Sequence, residues 1–60
     1  MNSWALVTGA TAGIGESFSR LLASHKYHIV LVARDLPRLH ERAQGLEEKF
    51  GVKTHVIQAD

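Results

Sequence analysis

The sequence contains no cysteine, so neither a disulfide nor a thiolate metal site can stabilise the fold. Its four histidines do not form a ligand spacing such as H-E-x-x-H, and we predict no metal site. A chain of 60 residues buries only about 60% of the surface that its unfolded state exposes, and this chain has no cross-links to compensate for so small a core. This length therefore predicts one small domain or part of a larger one, and it excludes a two-domain enzyme.

The sequence also lacks an excess of charge of one sign and a long hydrophobic run. Seven basic and six acidic residues are interleaved, which excludes the electrostatic signature of general nucleic-acid or membrane-surface binding. The longest apolar run, Ile29 to Ala33, is far shorter than the roughly 20 residues of a membrane span, and the N-terminus does not resemble a signal peptide. With 45% hydrophobic residues, we expect a folded cytoplasmic protein with no nucleic-acid partner and no membrane span.

Apolar patterning predicts three strands separated by two helices. The predicted strands are short segments of the kind that is buried on both faces of a sheet, at Trp4–Val7, His28–Ala33 and Lys53–Ala59. The first helix begins near Ile14, directly after a group of glycines, and ends between Ser24 and Lys26.

The second predicted helix has signals at both ends. Asp35 is a favourable N-cap, Pro37 lies in the first turn, and Gly51 is typical of the residue that follows a helix. Its apolar stripe consists of Leu36, Leu39, Ala43, Leu46 and Phe50.

This order of elements predicts an α/β fold, the N-terminal βαβαβ half of a Rossmann-type doubly wound parallel sheet. Right-handed crossovers give the strand order 3-2-1. In the complete fold the first strand is paired on both sides, so its apolar edge is open in these 60 residues. We therefore expect residues 1–60 to be the N-terminal part of a longer protein, unless something else covers that edge.

The residues that carry chemistry lie between the first strand and the first helix, in the run Thr8-Gly9-Ala10-Thr11-Ala12-Gly13-Ile14-Gly15. A strand-to-helix turn presents free N–H groups and a positive dipole end, and glycines let a pyrophosphate approach the backbone. The run is neither a P-loop nor G-x-G-x-x-G. From spacing alone, a tight turn that only packs the helix against the strand is the alternative.

The glycine run resembles the cofactor signature of the short-chain dehydrogenases/reductases, T-G-x-x-x-G-x-G. Each fixed position is met, by Thr8, Gly9, Gly13 and Gly15. The resemblance extends over the whole chain. The run 47–54 is similar to the branch that contains 3-ketoacyl and steroid reductases.

The resemblance implies an oxidoreductase that interconverts a carbonyl and an alcohol on a small-molecule substrate by hydride transfer, often as a homo-oligomer. The family's catalytic Tyr-x-x-x-Lys pair is not in this sequence, since the only tyrosine, Tyr27, is followed four positions later by Leu31. We therefore predict no catalytic residue within the chain. The alternatives are a non-catalytic NAD(P)-binding module or redox sensor, and a truncated product without a function of its own.

The resemblance also implies a preference for NADP(H) over NAD. Ala33 falls where NAD-preferring members carry aspartate, and Arg34 falls where NADP-preferring members carry a basic residue that can pair with the 2′-phosphate. Two alternatives are a solvated Arg34 paired with Asp35, and an Asp35 that turns inward to a ribose hydroxyl. Arg38 is a less favoured second contact for the 2′-phosphate.

Asp60 matches the family's aspartate that contacts the adenine amino group, and a helix N-cap is its alternative role. The predicted cofactor-binding residues are Gly9, Thr11, Gly13, Ile14, Gly15, Arg34 and Asp60.

Overall fold

The structure, a computed structural model, describes residues 3–10 and 12–59 and has the predicted βαβαβ order. Its elements are β1 (Trp4–Thr8), α1 (Gly13–Ser24), β2 (His28–Ala33), α2 (Leu36–Phe50) and β3 (Thr54–Gln58). The bounds of β2 and α2 are those predicted. β1 is one residue longer than predicted, α1 begins one residue earlier, and β3 is one residue shorter at each end.

The three strands form a parallel sheet in the order β1-β2-β3, which confirms the predicted arrangement. β2 is central: Thr8 of β1 lies opposite Val32, and Gln58 of β3 lies opposite Ala33. Among the described strands β1 pairs only with β2, so its outer edge is open, as predicted. The parallel register brings the carboxyl ends of all three strands, and the loops that follow them, to one edge of the sheet.

The hydrophobic core lies between the sheet and the two helices. Ile29 and Leu31 of β2 are fully buried against Leu39 of α2, and Ala23 of α1 is equally inaccessible. Side chains alternate across a strand, so the neighbouring positions point to the opposite face of the sheet. There Trp4, Leu6 and Ile57 are exposed. The prediction that the strands are buried on both faces is therefore wrong for β1 and β3, because α1 and α2 cover only one face. β2, which has a strand on each side, has no exposed residue.

The ends of α2 follow from its sequence. The Asp35 carboxylate accepts a hydrogen bond from the Arg38 backbone N–H at 3.3 Å, and Pro37 lies in the first turn. At the other end Gly51 adopts a left-handed conformation with φ of 72° and its N–H donates to the Glu47 carbonyl. Within the part of the chain that the structure describes, no helix has the length and apolar character to cross a membrane.

Candidate functional site

The loop from β1 to α1 begins with a glycine whose conformation other residues rarely adopt. Gly9 has φ of 64°, in the left-handed region where a Cβ causes strain. The loop then returns to the sheet, because the Ala10 N–H donates to the Val32 carbonyl of β2 at 3.1 Å. The Ala12 N–H donates to the Gly9 carbonyl at 3.0 Å. This tight turn places the start of α1 beside the carboxyl end of the sheet.

Gly15 permits α1 to approach the loop closely. A Cβ at this position would lie 2.8 Å from the Gly9 carbonyl carbon and closer still to its oxygen. Backbone atoms at that distance cannot move aside as a flexible side chain can. The Ser19 hydroxyl donates to the Gly15 carbonyl at 2.9 Å within the same packed region. The chain's own packing therefore requires glycine at position 15.

Gly13, the first residue of α1, is different because packing does not require it. A Cβ there meets no heavy atom of the described residues within 4 Å, and its φ is not positive. Glycine in a helix costs up to about 1 kcal/mol relative to alanine. The open space beside Gly13 fits a ligand that comes close to the backbone, which is the condition for a phosphate bound at a helix N-terminus.

Among the described residues, no side chain caps the N-terminus of α1. Its N-cap residue is Ala12, whose side chain makes no capping hydrogen bond, and the Glu16 N–H forms the first helical bond, to the Ala12 carbonyl. The N–H groups of Gly13, Ile14 and Gly15 precede this bond and have no partner within the helix. They therefore provide donors for an anion at the positive end of the helix dipole.

The acidic residue nearest this end is turned towards α2. Glu16 lies in the first turn of α1, and its carboxylate forms an ion pair with the Arg42 guanidinium of α2. This pairing offsets the negative charge that Glu16 would otherwise present near an incoming phosphate.

A cleft of about 410 Å³ connects the glycine loop to the end of β2. It is lined by Thr8, Gly9, Ala12, Val32, Ala33, Arg34, Asp35 and Ala59. The structure thus brings Gly9 and the N-cap of α1 together with Arg34, although 25 positions separate Gly9 from Arg34 in the sequence. A crevice outside the carboxyl ends of parallel strands is where open α/β sheets bind their ligands.

A second cleft lies on the other side of the loop, along the open edge of β1. Gly9, Ile14 and Gly15 line it together with Leu6 and Phe18, and its volume is about 440 Å³. The Ile14 side chain is 80% exposed. Two of the predicted site residues, Ile14 and Gly15, therefore border this second cleft and not the one that contains Arg34.

The turn after β2 is held by residues of three elements. The Ala59 N–H donates to the Ala33 carbonyl at 2.9 Å, and the Gln58 side-chain amide donates to the Arg34 carbonyl at 3.0 Å. The Asp35 carboxylate caps α2 and lies 3.9 Å from the Arg38 guanidinium. Asp35 is thus engaged by its own helix, and reaching a ribose would require it to leave the cap.

Gln58 is a residue that sequence reasoning did not single out. Its contact with Arg34 can be predicted only when the strand register is known, because parallel pairing of Gln58 with Ala33 places its side chain near Arg34. Thr11 and Asp60 lie outside the described residues, so their contacts with a cofactor remain predictions. Arg38 is exposed on α2 beside Asp35.

Residues 3–60 match the family model described as short chain dehydrogenase. The chain is also 42% identical over 60 residues to the very-long-chain 3-oxoacyl-CoA reductase-B of Danio rerio, covering all of this chain and 19% of the relative. The chain spans about a fifth of the length of the curated relatives it matches.

Two solved structures have nearly the same backbone. An alcohol dehydrogenase from the archaeon Thermococcus sibiricus, complexed with 5-hydroxy-NADP, superposes with a TM-score of 0.96 at 37% identity, over all of this chain and 26% of the other. The L-sorbose reductase of Gluconobacter frateurii, complexed with NADPH and L-sorbose, superposes with a TM-score of 0.95 at 44% identity, over 98% of this chain and 22% of that one.

Proposed function

The chain belongs to the short-chain dehydrogenase family, and we propose that it is the N-terminal cofactor-binding part of an NADP(H)-dependent oxidoreductase. The complete enzyme interconverts a carbonyl and an alcohol, and the cofactor, when bound, accepts or supplies the hydride. One observation carries this proposal. Gly9 and Ala12, the N-cap of α1, line the same cleft as Arg34, and the first N–H groups of α1 follow Ala12 directly, so donors for a pyrophosphate and a cation for a further phosphate lie at one edge of the sheet.

The glycine loop holds the pyrophosphate in this proposal. Gly9 and Gly13 keep side chains away from the phosphate oxygens, and the first N–H groups of α1 donate to them. Gly15 contributes by letting the helix pack closely on the loop, and Ile14 borders the neighbouring cleft. Thr11 adds a hydroxyl to the phosphate contacts.

Arg34 selects NADP(H) by pairing with the 2′-phosphate. A guanidinium offers two parallel donors to a phosphate, and β2 ends in Ala33, which has no carboxylate to accept from a ribose. The capping role of Asp35 favours the same preference, because its carboxylate is held by α2. Two solved relatives are complexes with 5-hydroxy-NADP and with NADPH. Asp60 is proposed to contact the adenine amino group.

The rest of the enzyme follows from the family and from the length of the relatives. Residues 1–60 form the first part of one NAD(P)-binding domain, and the catalytic tyrosine and lysine lie in later sequence. The substrate is a small carbonyl compound or alcohol. The similarity to the 3-oxoacyl-CoA reductase of Danio rerio supports a 3-oxoacyl compound as the substrate class. Assembly as a homo-oligomer and a cytoplasmic location remain predictions.

Replacement of Arg34 by alanine in the full-length protein tests the cofactor preference. We expect NADPH affinity to fall by about 1.5–3 kcal/mol, the range of charge-assisted hydrogen bonds, and NADH affinity to change little. Dissociation constants for both dinucleotides, measured by titration calorimetry, give the comparison. Arg20→Ala is the matched control, because Arg20 is exposed on α1 and does not line the cleft. Equal losses for the two dinucleotides, or no loss for NADPH, would contradict the assignment.

A further inference from the structure

Three successive residues, Ala33, Arg34 and Asp35, join β2 to α2. The backbone carbonyl of each accepts a hydrogen bond from a different kind of partner. The Ala33 carbonyl accepts from the Ala59 N–H at 2.9 Å, next to the β2–β3 pairing. The Asp35 carbonyl accepts from the Leu39 N–H at 2.9 Å, in the first turn of α2. Between them, the Arg34 carbonyl belongs to neither the sheet nor the helix. Its partner is the side-chain amide of Gln58, at 3.0 Å.

The Gln58 contact fixes the peptide group that joins Arg34 to Asp35. Holding a carbonyl oxygen restrains the rotation of its peptide plane, and that plane contains the Arg34 carbonyl and the Asp35 nitrogen. The Arg34 side chain leaves the backbone directly before this plane. The contact thus restrains the backbone from which the Arg34 side chain extends.

We propose that Gln58 is a positioning residue for Arg34 and thereby sets the preference for NADP(H) over NAD(H). The inference rests on the proposed role of Arg34 at the 2′-phosphate. A side chain that is held near its bound direction loses less conformational freedom on binding, which raises affinity without a new contact. Gln58 itself touches neither phosphate nor ribose in this proposal and acts only through the backbone of Arg34.

A purely structural role for Gln58 predicts a different result. The contact is exposed, so water can replace the lost donor when Gln58 is removed, and stability should change little. A general distortion of the end of β3 would also disturb Asp60, whose proposed contact is with adenine. Adenine is common to both dinucleotides, so such a distortion weakens NADPH and NADH equally. Only an effect through Arg34 weakens NADPH selectively.

The test compares Gln58→Ala and Gln58→Met in the full-length protein. Methionine has nearly the volume of glutamine but no amide donor, so it separates the hydrogen bond from packing. We expect both variants to lower NADPH affinity by about 3- to 10-fold, the range of one net hydrogen bond, with NADH affinity and the unfolding midpoint nearly unchanged. Gln44→Ala is the matched control, because Gln44 also donates its side-chain amide, to Glu48, but lies outside the cleft.

Combining Gln58→Ala with Arg34→Ala distinguishes the two proposals. If Gln58 acts through Arg34, its removal causes no further loss of NADPH affinity once Arg34 is absent. Failure of Arg34→Ala alone to weaken NADPH overturns the proposed function and this inference with it. A selective effect of Arg34→Ala without one of Gln58→Ala and Gln58→Met overturns the positioning role alone. An equal loss for both dinucleotides, or a loss that persists without Arg34, also overturns that role.

Discussion

The two helices begin at the same edge of the sheet, yet their first turns are built in opposite ways. α2 is capped by its own residues: the Asp35 carboxylate accepts an N–H, and Pro37 has no N–H that needs a partner. α1 begins after Ala12, with glycines at positions 13 and 15, and the described part of the chain supplies no side chain that caps it. The chain thus stabilises the start of α2 with its own side chains, whereas the described residues provide no such cap for α1.

The open end of α1 lowers the stability of that helix. A missing cap costs about 0.5–2 kcal/mol, and each glycine in a helix costs up to about 1 kcal/mol. The helix is retained because it packs on the sheet, where Ala23 is fully buried and Ser19 nearly so. A stability deficit in the first turn of a well-packed helix is the expected sign of a binding site, since binding interactions offset it.

The largest expected change comes from giving α1 the cap that α2 has. In Ala12→Asp the new carboxylate should accept from the first-turn N–H groups, because Ala12 already has an extended N-cap conformation. We expect the ligand-free protein to gain about 0.5–1 kcal/mol of unfolding free energy. Dinucleotide affinity should fall roughly 10- to 100-fold through repulsion of the pyrophosphate and competition for its donors.

Thermal unfolding without ligand and titration with NADPH measure the two effects of Ala12→Asp. Ala12→Ser is the matched control, because it adds a cap without a charge. It should stabilise the free protein similarly and weaken binding less. Unchanged NADPH affinity in Ala12→Asp would show that the pyrophosphate does not lie at the start of α1.

A smaller effect is expected from Gly13→Ala, which tests whether Gly13, unlike Gly15, is a glycine because of the ligand. In Gly13→Ala the new methyl group occupies the open space beside the backbone, so we expect a roughly tenfold loss of dinucleotide affinity from overpacking against the ligand. Stability should stay the same or rise, by at most about 1 kcal/mol. Calorimetric titration measures the dinucleotide affinity of Gly13→Ala, and urea unfolding measures its stability.

Gly45→Ala is the matched control for Gly13→Ala. Gly45 lies within α2, and a Cβ there also meets no heavy atom of the described residues within 4 Å. This variant should be stabilised by about 0.5–1 kcal/mol with unchanged binding, since Gly45 lies inside α2 and is not part of the glycine loop. Similar binding losses in both variants would mean that the methyl at position 13 acts through the fold.

The smallest effect is expected from removing the cap of α2. Asp35→Ala leaves the Arg38 N–H without its partner, and we expect a loss of about 1 kcal/mol of unfolding free energy. NADH affinity should not fall, because Asp35 is assigned to the helix and not to a ribose. Urea unfolding and NADH titration test this; a clear loss of NADH binding would instead support the ribose contact.

The sequence was sufficient where local signals mark both ends of an element. The bounds of α2 follow from Asp35, Pro37 and Gly51, and each of these residues acts in the structure as its type predicts. β2 was predicted to the residue because a continuous apolar run lies between polar neighbours. The glycine run also located the candidate site, since its position between strand and helix already implies exposed N–H groups.

The features that the sequence did not reveal depend on long-range geometry. Spacing alone cannot distinguish Gly13 from Gly15, because only the folded chain shows the Gly9 carbonyl beside one and open space beside the other. The contact of Gln58 with Arg34 requires the register of β2 with β3. Apolar composition also could not show that only one face of the sheet is covered by α1 and α2.

The central position of β2 has a consequence for the kinetics of ligand binding. The glycine loop is fastened to Val32 by the Ala10 N–H, and Arg34 follows two residues later in the chain. Both elements to which we assign phosphate contacts are therefore attached to the end of a single strand, and the distance between them does not depend on a hinge. We therefore expect discrimination between the two dinucleotides to arise mainly in how long each stays bound.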